Sequence, residues 1–207
     1  MTGDYEQRFG GVGRLFGREG LERLSRAHVC VIGVGGVGSW SVEALVRSGV
    51  GRVTMIDRDD VCITNTNRQL PATAETVGKS KVAVLSRRMK EIHPFCEIHA
   101  VEEFFTESTA ERHLAEPYDY VIDAVDRAAT KALIISRCVA ARIPVLTVGG
   151  AGGRLDATAV RCGDLSRSGG DDLLRSVRRQ LRRSHGFVIT ENEKVGVGCV
   201  YSAEPQI

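Results

Sequence analysis

Short apolar runs alternate with helix-period segments along most of this chain. His28–Ile32, Val53–Ile56, Glu97–Val101, Tyr120–Ile122 and Val145–Val148 have strand length, and Val53–Ile56 is dominated by β-branched residues. Between them, Ser39–Ser48 places Val42, Leu45 and Val46 on one face. Lys79–His93 carries Val82, Leu85, Met89 and Ile92 at three- and four-residue spacings, and Ala128–Ala141 also reads as helical. Alternation of this kind predicts βαβ units, so the expected fold is α/β: a Rossmann-like, mostly parallel sheet flanked by helices. After Gly153 the alternation stops. Asp171–Ser184 reads as an Arg-rich helix and Val195–Tyr201 as a late strand, so the C-terminal part is expected to add antiparallel strands.

Polar residues gather where the predicted strands end. Val53–Ile56 runs into Asp57 and a long polar connection to Asn67, Tyr120–Ile122 into Asp123, and Val145–Val148 into Gly149-Gly150. In open α/β sheets, ligands sit beyond these carboxyl ends. The first such junction is the most specific. Gly33-Val34-Gly35-Gly36-Val37-Gly38-Ser39 joins a strand to a helix start, a turn that brings backbone N–H groups and the positive end of a helix against a phosphate. The chain is therefore expected to bind a nucleotide.

Composition narrows the class without choosing the chemistry. The 207 residues fit a single domain, 43% hydrophobic and 26% charged, and the net charge of +2 does not by itself call for a nucleic-acid partner. The N-terminal residues carry no secretory signal and no apolar run has membrane-span length, so the expected location is cytoplasmic and no membrane partner is expected. The six cysteines form no CxxC pair, which points away from zinc and from a disulfide framework.

The glycine turn with Asp57 as a ribose acceptor would suit a nicotinamide oxidoreductase equally well. The residues downstream discriminate. Asn65-Thr66-Asn67-Arg68-Gln69 lies in the loop after the second strand, Lys81 near the start of the following helix, and Asp123 and Asp126 close a later strand. Hydride transfer has no use for Arg68, Lys81 and a carboxylate pair. Attack on the α-phosphate of ATP does: cations neutralise charge building on the phosphoryl oxygens, and a carboxylate holds Mg²⁺ against them. Arg68, Lys81 and the carboxylates of Asp123 and Asp126 are the candidate catalytic residues at this point; the resemblance below narrows them to Arg68, Lys81 and Asp126.

These motifs carry a resemblance. GVGGVGS, Asp57-Arg58-Asp59-Asp60-Val61, Asn65-Thr66-Asn67-Arg68-Gln69, Val77-Gly78-Lys79-Ser80-Lys81 and Asp123-Ala124-Val125-Asp126 occur in the order found in the ThiF/MoeB superfamily, relatives of ubiquitin-activating enzyme that adenylate carboxylates with ATP. The resemblance implies that the loop from Gly33 to Ser39, through Gly35, Gly36 and Gly38, approaches the nucleotide phosphates, and that Asp57 binds the ribose. It further implies that Asn65, Arg68 and Lys81 bind the triphosphate, that Asp126 holds Mg²⁺, and that Arg8 (or Arg14) reaches into a neighbouring subunit's site in a homodimer. A monovalent cation is a further implied ligand.

Arg8-Phe9-Gly10-Gly11, Asp60 to Gln69, Gly149 to Gly153 and Gly198-Cys199-Val200-Tyr201-Ser202 resemble the tRNA threonylcarbamoyladenosine dehydratase branch, in agreement with the missing zinc cysteines. That branch implies a tRNA substrate, adenylation of its threonyl carboxylate, ring closure by the modification's own carbamoyl group, and association with a cysteine desulfurase or sulfur-acceptor partner. It also implies a Gly- and Ala-rich segment beyond Ser202-Ala203-Glu204-Pro205; the present sequence ends at Ile207. Cys199, in an apolar strand, reads better as a small buried residue than as an acyl-accepting thiolate.

Independently of the resemblance, Arg175, Arg178, Arg179, Arg182 and Arg183 fall at i, i+3, i+4, i+7 and i+8, with Leu174, Val177 and Leu181 on the other side. Such a stripe suits a phosphate backbone, which makes the five arginines candidate RNA-binding residues that Arg154 and Arg161 would extend. Three other functions remain open at this stage. They are adenylation of the C-terminal carboxylate of a ubiquitin-like sulfur carrier, an NAD-dependent oxidoreductase, and a non-catalytic nucleotide-binding partner protein.

Overall fold

A computed structural model describes residues 3–190 and 192–204. The chain divides into two compact units, residues 1–104 with 117–119, and residues 105–116 with 120–207.

The first unit is built on three parallel strands, β1 (His28–Ile32), β2 (Arg52–Ile56) and β3 (Glu97–Val101), with β2 paired to both neighbours. Two helices return the chain between them, α2 (Gly38–Arg47) and α3 (Lys81–Ile92). Both bury the faces that the periodicity selects: Val42 and Val46 on α2, Val82, Leu85 and Met89 on α3. The α3 helix begins two residues later than its apolar spacing predicts, because the Ser80 side chain accepts the Ala83 N–H and caps it there.

An N-terminal helix, α1 (Gly3–Arg26), has no counterpart in the sequence reading. Glycines at 10, 11, 13, 17 and 20 depress its propensity, and Gly17 breaks it with φ 76°. Tertiary contact outweighs the propensity. Tyr5 and Phe9 pack on each other and on His93, and the Tyr5 hydroxyl donates to the Gly49 carbonyl at 2.6 Å. Gly49 has φ +84°, and a Cβ there would stand 2.6 Å from the Tyr5 hydroxyl, so this contact requires glycine.

The second unit holds α4 (Ala110–His113), β4 (Tyr120–Asp123), α5 (Ala128–Ala140), β5 (Val145–Val148), β6 (Val160–Asp164), α6 (Asp172–Ser184) and β7 (Gly198–Ser202). Strands β4, β5 and β7 run parallel, and β6 pairs antiparallel with β7. The fold is thus a mostly parallel α/β arrangement flanked by helices, with the expected antiparallel addition near the C-terminus. The late strand begins at Gly198 rather than Val195, because the Asp164 carboxylate takes the Val195 and Gly196 N–H groups. Strand β6 itself escaped the sequence reading; its first four residues are exposed.

Candidate active site

In the first unit the glycine turn follows β1 and opens α2, with the Ser39 and Ser41 N–H groups donating to the Gly35 and Val37 carbonyls at 3.1 and 3.0 Å. Asp57, at the end of β2, accepts the Val34 N–H at 2.8 Å through Oδ2 and the Asp59 N–H at 2.9 Å through Oδ1. The carboxylate predicted to meet a ribose is therefore fixed directly to the turn predicted to meet phosphates.

The Asn65–Gln69 loop lies over the same turn. A Cβ on Gly36 would lie 3.5 Å from Arg68 Cγ and Cδ, and one on Gly35 would lie 3.6 Å from Gln69 Nε2. Trp40 Nε1 donates to the Arg68 carbonyl, and Ser39 Oγ, which donates to the Gly35 carbonyl, accepts the Leu70 N–H. The Arg68 guanidinium is oriented by the Thr64 carbonyl at 3.0 Å and Asn67 Oδ1 at 2.8 Å, and it remains exposed. Asn65 is buried, its Oδ1 accepting the Cys62 N–H that shapes the 3-10 turn Ile63–Asn65. Gln69, which the sequence motif contained but to which no role was given, buries Oε1 without a hydrogen-bond partner among the described residues.

Lys81 is not a solvated surface cation. Its side chain is 6% exposed, and Nζ donates to Asp59 Oδ2 at 2.9 Å, with Asp59 itself 58% exposed. An ammonium has three donors, and this ion pair uses one of them. Cys62 is exposed nearby. The Thr64 hydroxyl donates to its Sγ at 3.2 Å and, with further help from the Thr64 N–H, holds the thiol below its usual range. Arg8, on α1, donates to Asp4 at 3.0 Å and to the Ile92 carbonyl at 3.3 Å; Arg14 is exposed.

In the second unit the two aspartates after β4 part company. Asp123 is fully buried, accepting from Lys131 Nζ at 3.0 Å and from the Thr147 hydroxyl at 2.6 Å. It is not one half of an open carboxylate pair, contrary to the sequence reading, because the buried lysine on α5 claims it. Asp126, three residues on, is exposed. Among the described residues no group of three or more His, Cys, Asp or Glu forms a closed metal site. A single exposed carboxylate does fit Mg²⁺, which is commonly held by one or two carboxylates together with substrate phosphates.

Helix α6 starts at the carboxyl end of β5. Asp171, its N-cap, accepts the Leu174 N–H at 2.8 Å and the Gly150 N–H at 2.9 Å. A Cβ on Gly149 would fall 2.4 Å from Asp171 Oδ2, which accounts for glycine there. Arg154, predicted to extend the arginine stripe, is instead packed against Asp171 with its side chain 8% exposed. Leu174, Val177 and Leu181 are buried as predicted, and Arg175, Arg179, Arg182 and Arg183 are exposed. Arg178 departs from the stripe. Its Nη1 donates to the Ser168 carbonyl at 2.7 Å and to the Ser168 hydroxyl, and burial lowers its pKa from the ordinary value. At about 100° per residue it stands only some 40° from Leu174, at the border of the core face. Cys199 is fully buried in β7, and burial pushes its thiol up to about 11, the state of an inert core residue.

A strand–glycine turn–helix unit with the Arg68 loop lying over the turn defines a nucleotide-binding α/β protein. Residues 11–182 match the ThiF family, and the chain belongs to it. It is 48% identical over 204 residues to the tRNA threonylcarbamoyladenosine dehydratase of Haemophilus influenzae, covering 99% of this chain and 78% of that protein. The dehydratase of the same name from Escherichia coli is 44% identical over 97% of this chain and 75% of its own length. The structure resembles that of E. coli tRNA N6-threonylcarbamoyladenosine dehydratase, TcdA, in complex with ATP, with a TM-score of 0.97 and 42% identity over 100% of this chain and 85% of the other.

Proposed function

We propose that the protein is an ATP-dependent dehydratase acting on N6-threonylcarbamoyladenosine in tRNA. The observation that carries this reading is the match of residues 11–182 to the ThiF family together with 48% identity over 99% of this chain to a protein of that name. The threonyl carboxylate attacks the α-phosphate of ATP; a C(O)–O–P linkage forms and pyrophosphate leaves. The carbamoyl group of the same modification then attacks the activated carbonyl and loses one N–H proton, and AMP departs with the former carboxylate oxygen. Because nucleophile and electrophile belong to one substituent, holding that substituent in a near-attack geometry replaces a protein nucleophile. The burial of Cys199 agrees with a route that needs none.

Each side chain has a task in this scheme. In the turn from Gly33 to Ser39 the N–H groups of Gly35, Gly36 and Gly38 meet the phosphates, while those of Gly33, Val34 and Ser39 are held by the Ile56 carbonyl, Asp57 and the Gly35 carbonyl. Asp57, oriented by two backbone N–H groups, offers its remaining lone pairs to the ribose hydroxyls. Asn65, Arg68 and Lys81 bind the triphosphate, Arg68 and Lys81 drawing charge off the phosphoryl oxygens as it develops. Asp126 would hold Mg²⁺, which when bound neutralises triphosphate charge and polarises the phosphoryl group. The exposed arginines of α6 take the RNA backbone. The reading places the enzyme in the cytoplasm as a homodimer, with Arg8 serving the neighbouring subunit's site; a sulfur-acceptor or cysteine desulfurase partner and a monovalent cation belong to the same reading.

The test is AMP release on incubation with ATP, Mg²⁺ and tRNA carrying threonylcarbamoyladenosine. Release that depends on the modified tRNA is expected. Release triggered by a ubiquitin-like sulfur carrier but not by tRNA would replace this reading with adenylation of the carrier's C-terminal carboxylate.

A further inference from the structure

Helix α6 has a defined direction within its own unit. Strands β4 and β5 are parallel and α5 joins them, so α5 begins at their carboxyl edge and ends at the opposite edge. Helix α6 begins at that same carboxyl edge, where Asp171 binds the Gly150 N–H. Its last turn meets the last turn of α5: Ser184 and His185 line one cavity of about 470 Å³ with Arg137, Val139 and Ala140. The two helices therefore run side by side, away from the edge where Asp126 stands.

The exposed arginines are strung along this path. Arg175 is in the second turn from the start and Arg183 in the last, a span of about 12 Å at 1.5 Å per residue. That length faces on the order of three phosphates of one strand of a duplex, at roughly 3.4 Å each. Asp172 is the helix's sole acid, and it pairs with Arg175 at 2.9 Å, at the end nearest the carboxyl edge. Farther along, Arg179, Arg182 and Arg183 present positive charge with no acid on the helix to offset it.

We propose that α6 sets the polarity of the RNA. The nucleotide bearing the reactive carboxylate lies at the Gly150–Arg175 end, and the stem that supports its loop runs along the helix toward Arg183. This rests on the function proposed above: the carboxylate must come to the carboxyl edge, so its phosphate backbone can follow the stripe in one direction only.

The test compares two RNA hairpins that carry threonylcarbamoyladenosine in the loop, one with a five-base-pair stem and one with two, in wild type and in Arg175→Gln and Arg183→Gln. Both arginines are exposed, and melting curves will verify that the variants fold. Arg175→Gln is expected to lower the slope of log K against log salt by about one with either hairpin. Arg183→Gln is expected to do so with the long stem alone. The reverse assignment, or equal effects of Arg183→Gln on both hairpins, would overturn the proposed polarity, as would no change with any combination. Absence of RNA-dependent AMP release by the wild type would instead refute the dehydratase reading, so the two failures are distinguishable.

Discussion

Two buried lysines pair with aspartates, and their surroundings assign them opposite tasks. Lys81 meets Asp59, which is largely exposed; Lys131 meets Asp123, which is sealed. An anion arriving from solvent can compete for the first lysine but not for the second. Lys81→Met keeps the buried stem and leaves an aspartate that water can solvate, so a loss of at most about 1 kcal/mol in urea unfolding is expected alongside a large fall in AMP release. Lys131→Met strands a buried carboxylate, for which about 3–5 kcal/mol is expected, and adding Asp123→Asn should recover part of it. Equal stability losses for the two single variants would contradict this division. Arg68, held over Gly36 by Thr64 and Asn67, is expected to lose about 10²–10³ in kcat as Arg68→Ala, measured at saturating ATP. Types and spacing of these residues were legible in the sequence because adenylation needs cations and carboxylates in ordered loops. Which aspartate was open was not, because Lys131 reaches Asp123 through the packing of α5.

At the scale of the element, α6 shows how far periodicity reaches. Its spacing identified Leu174, Val177 and Leu181 as the inward face, and they are buried. The same spacing assigned Arg178 to the outward stripe, yet it binds Ser168. A position bordering the core face goes to whichever partner lies beside it, and that partner is a loop ten residues earlier. Arg178→Gln should therefore destabilise the fold by roughly 1–3 kcal/mol through unsatisfied buried groups and leave the salt dependence of RNA binding unchanged. Arg179→Gln should do the opposite: unaltered melting and a salt slope reduced by about one. Helix α1 marks the other limit. Its glycines gave no helical signal, and the contacts of Tyr5 and Phe9 with Gly49 and His93 make it a helix.

The chain as a whole is expected to carry an acid sensitivity traceable to His93. Its ring is buried between Tyr5, Phe9 and Phe95, with both nitrogens lacking hydrogen-bond partners. Burial, then the nearby charges of Arg8 and Lys90, hold its pKa below the ordinary 6.5, against a smaller opposing effect of Asp4. The unfolded chain takes up the proton first, so this contribution to stability is complete above about pH 6.5 and declines as the pH falls further. In urea titrations at pH 7.5 and 5.5, His93→Phe should shrink the difference between the two midpoints; an unchanged difference would clear His93 of the effect. Assembly has its own readout. Arg8 is tied to Asp4 by an exposed ion pair, worth little and easily released. If it serves a neighbouring site, mixing inactive Arg8→Ala and Arg68→Ala subunits should restore roughly a quarter of wild-type AMP release through mixed dimers.

By itself the sequence determined the alternation of strands and helices from β1 to β5, the glycine turn and the residues proposed to activate a carboxylate, because periodicity, turn chemistry and charge type are written locally. Tertiary structure alone decided which charges face solvent: Asp126 rather than Asp123, Arg179 rather than Arg178, Lys81 on a leash to Asp59. Whether a charge is solvated or paired depends on neighbours brought in from distant parts of the chain, and no local pattern records them.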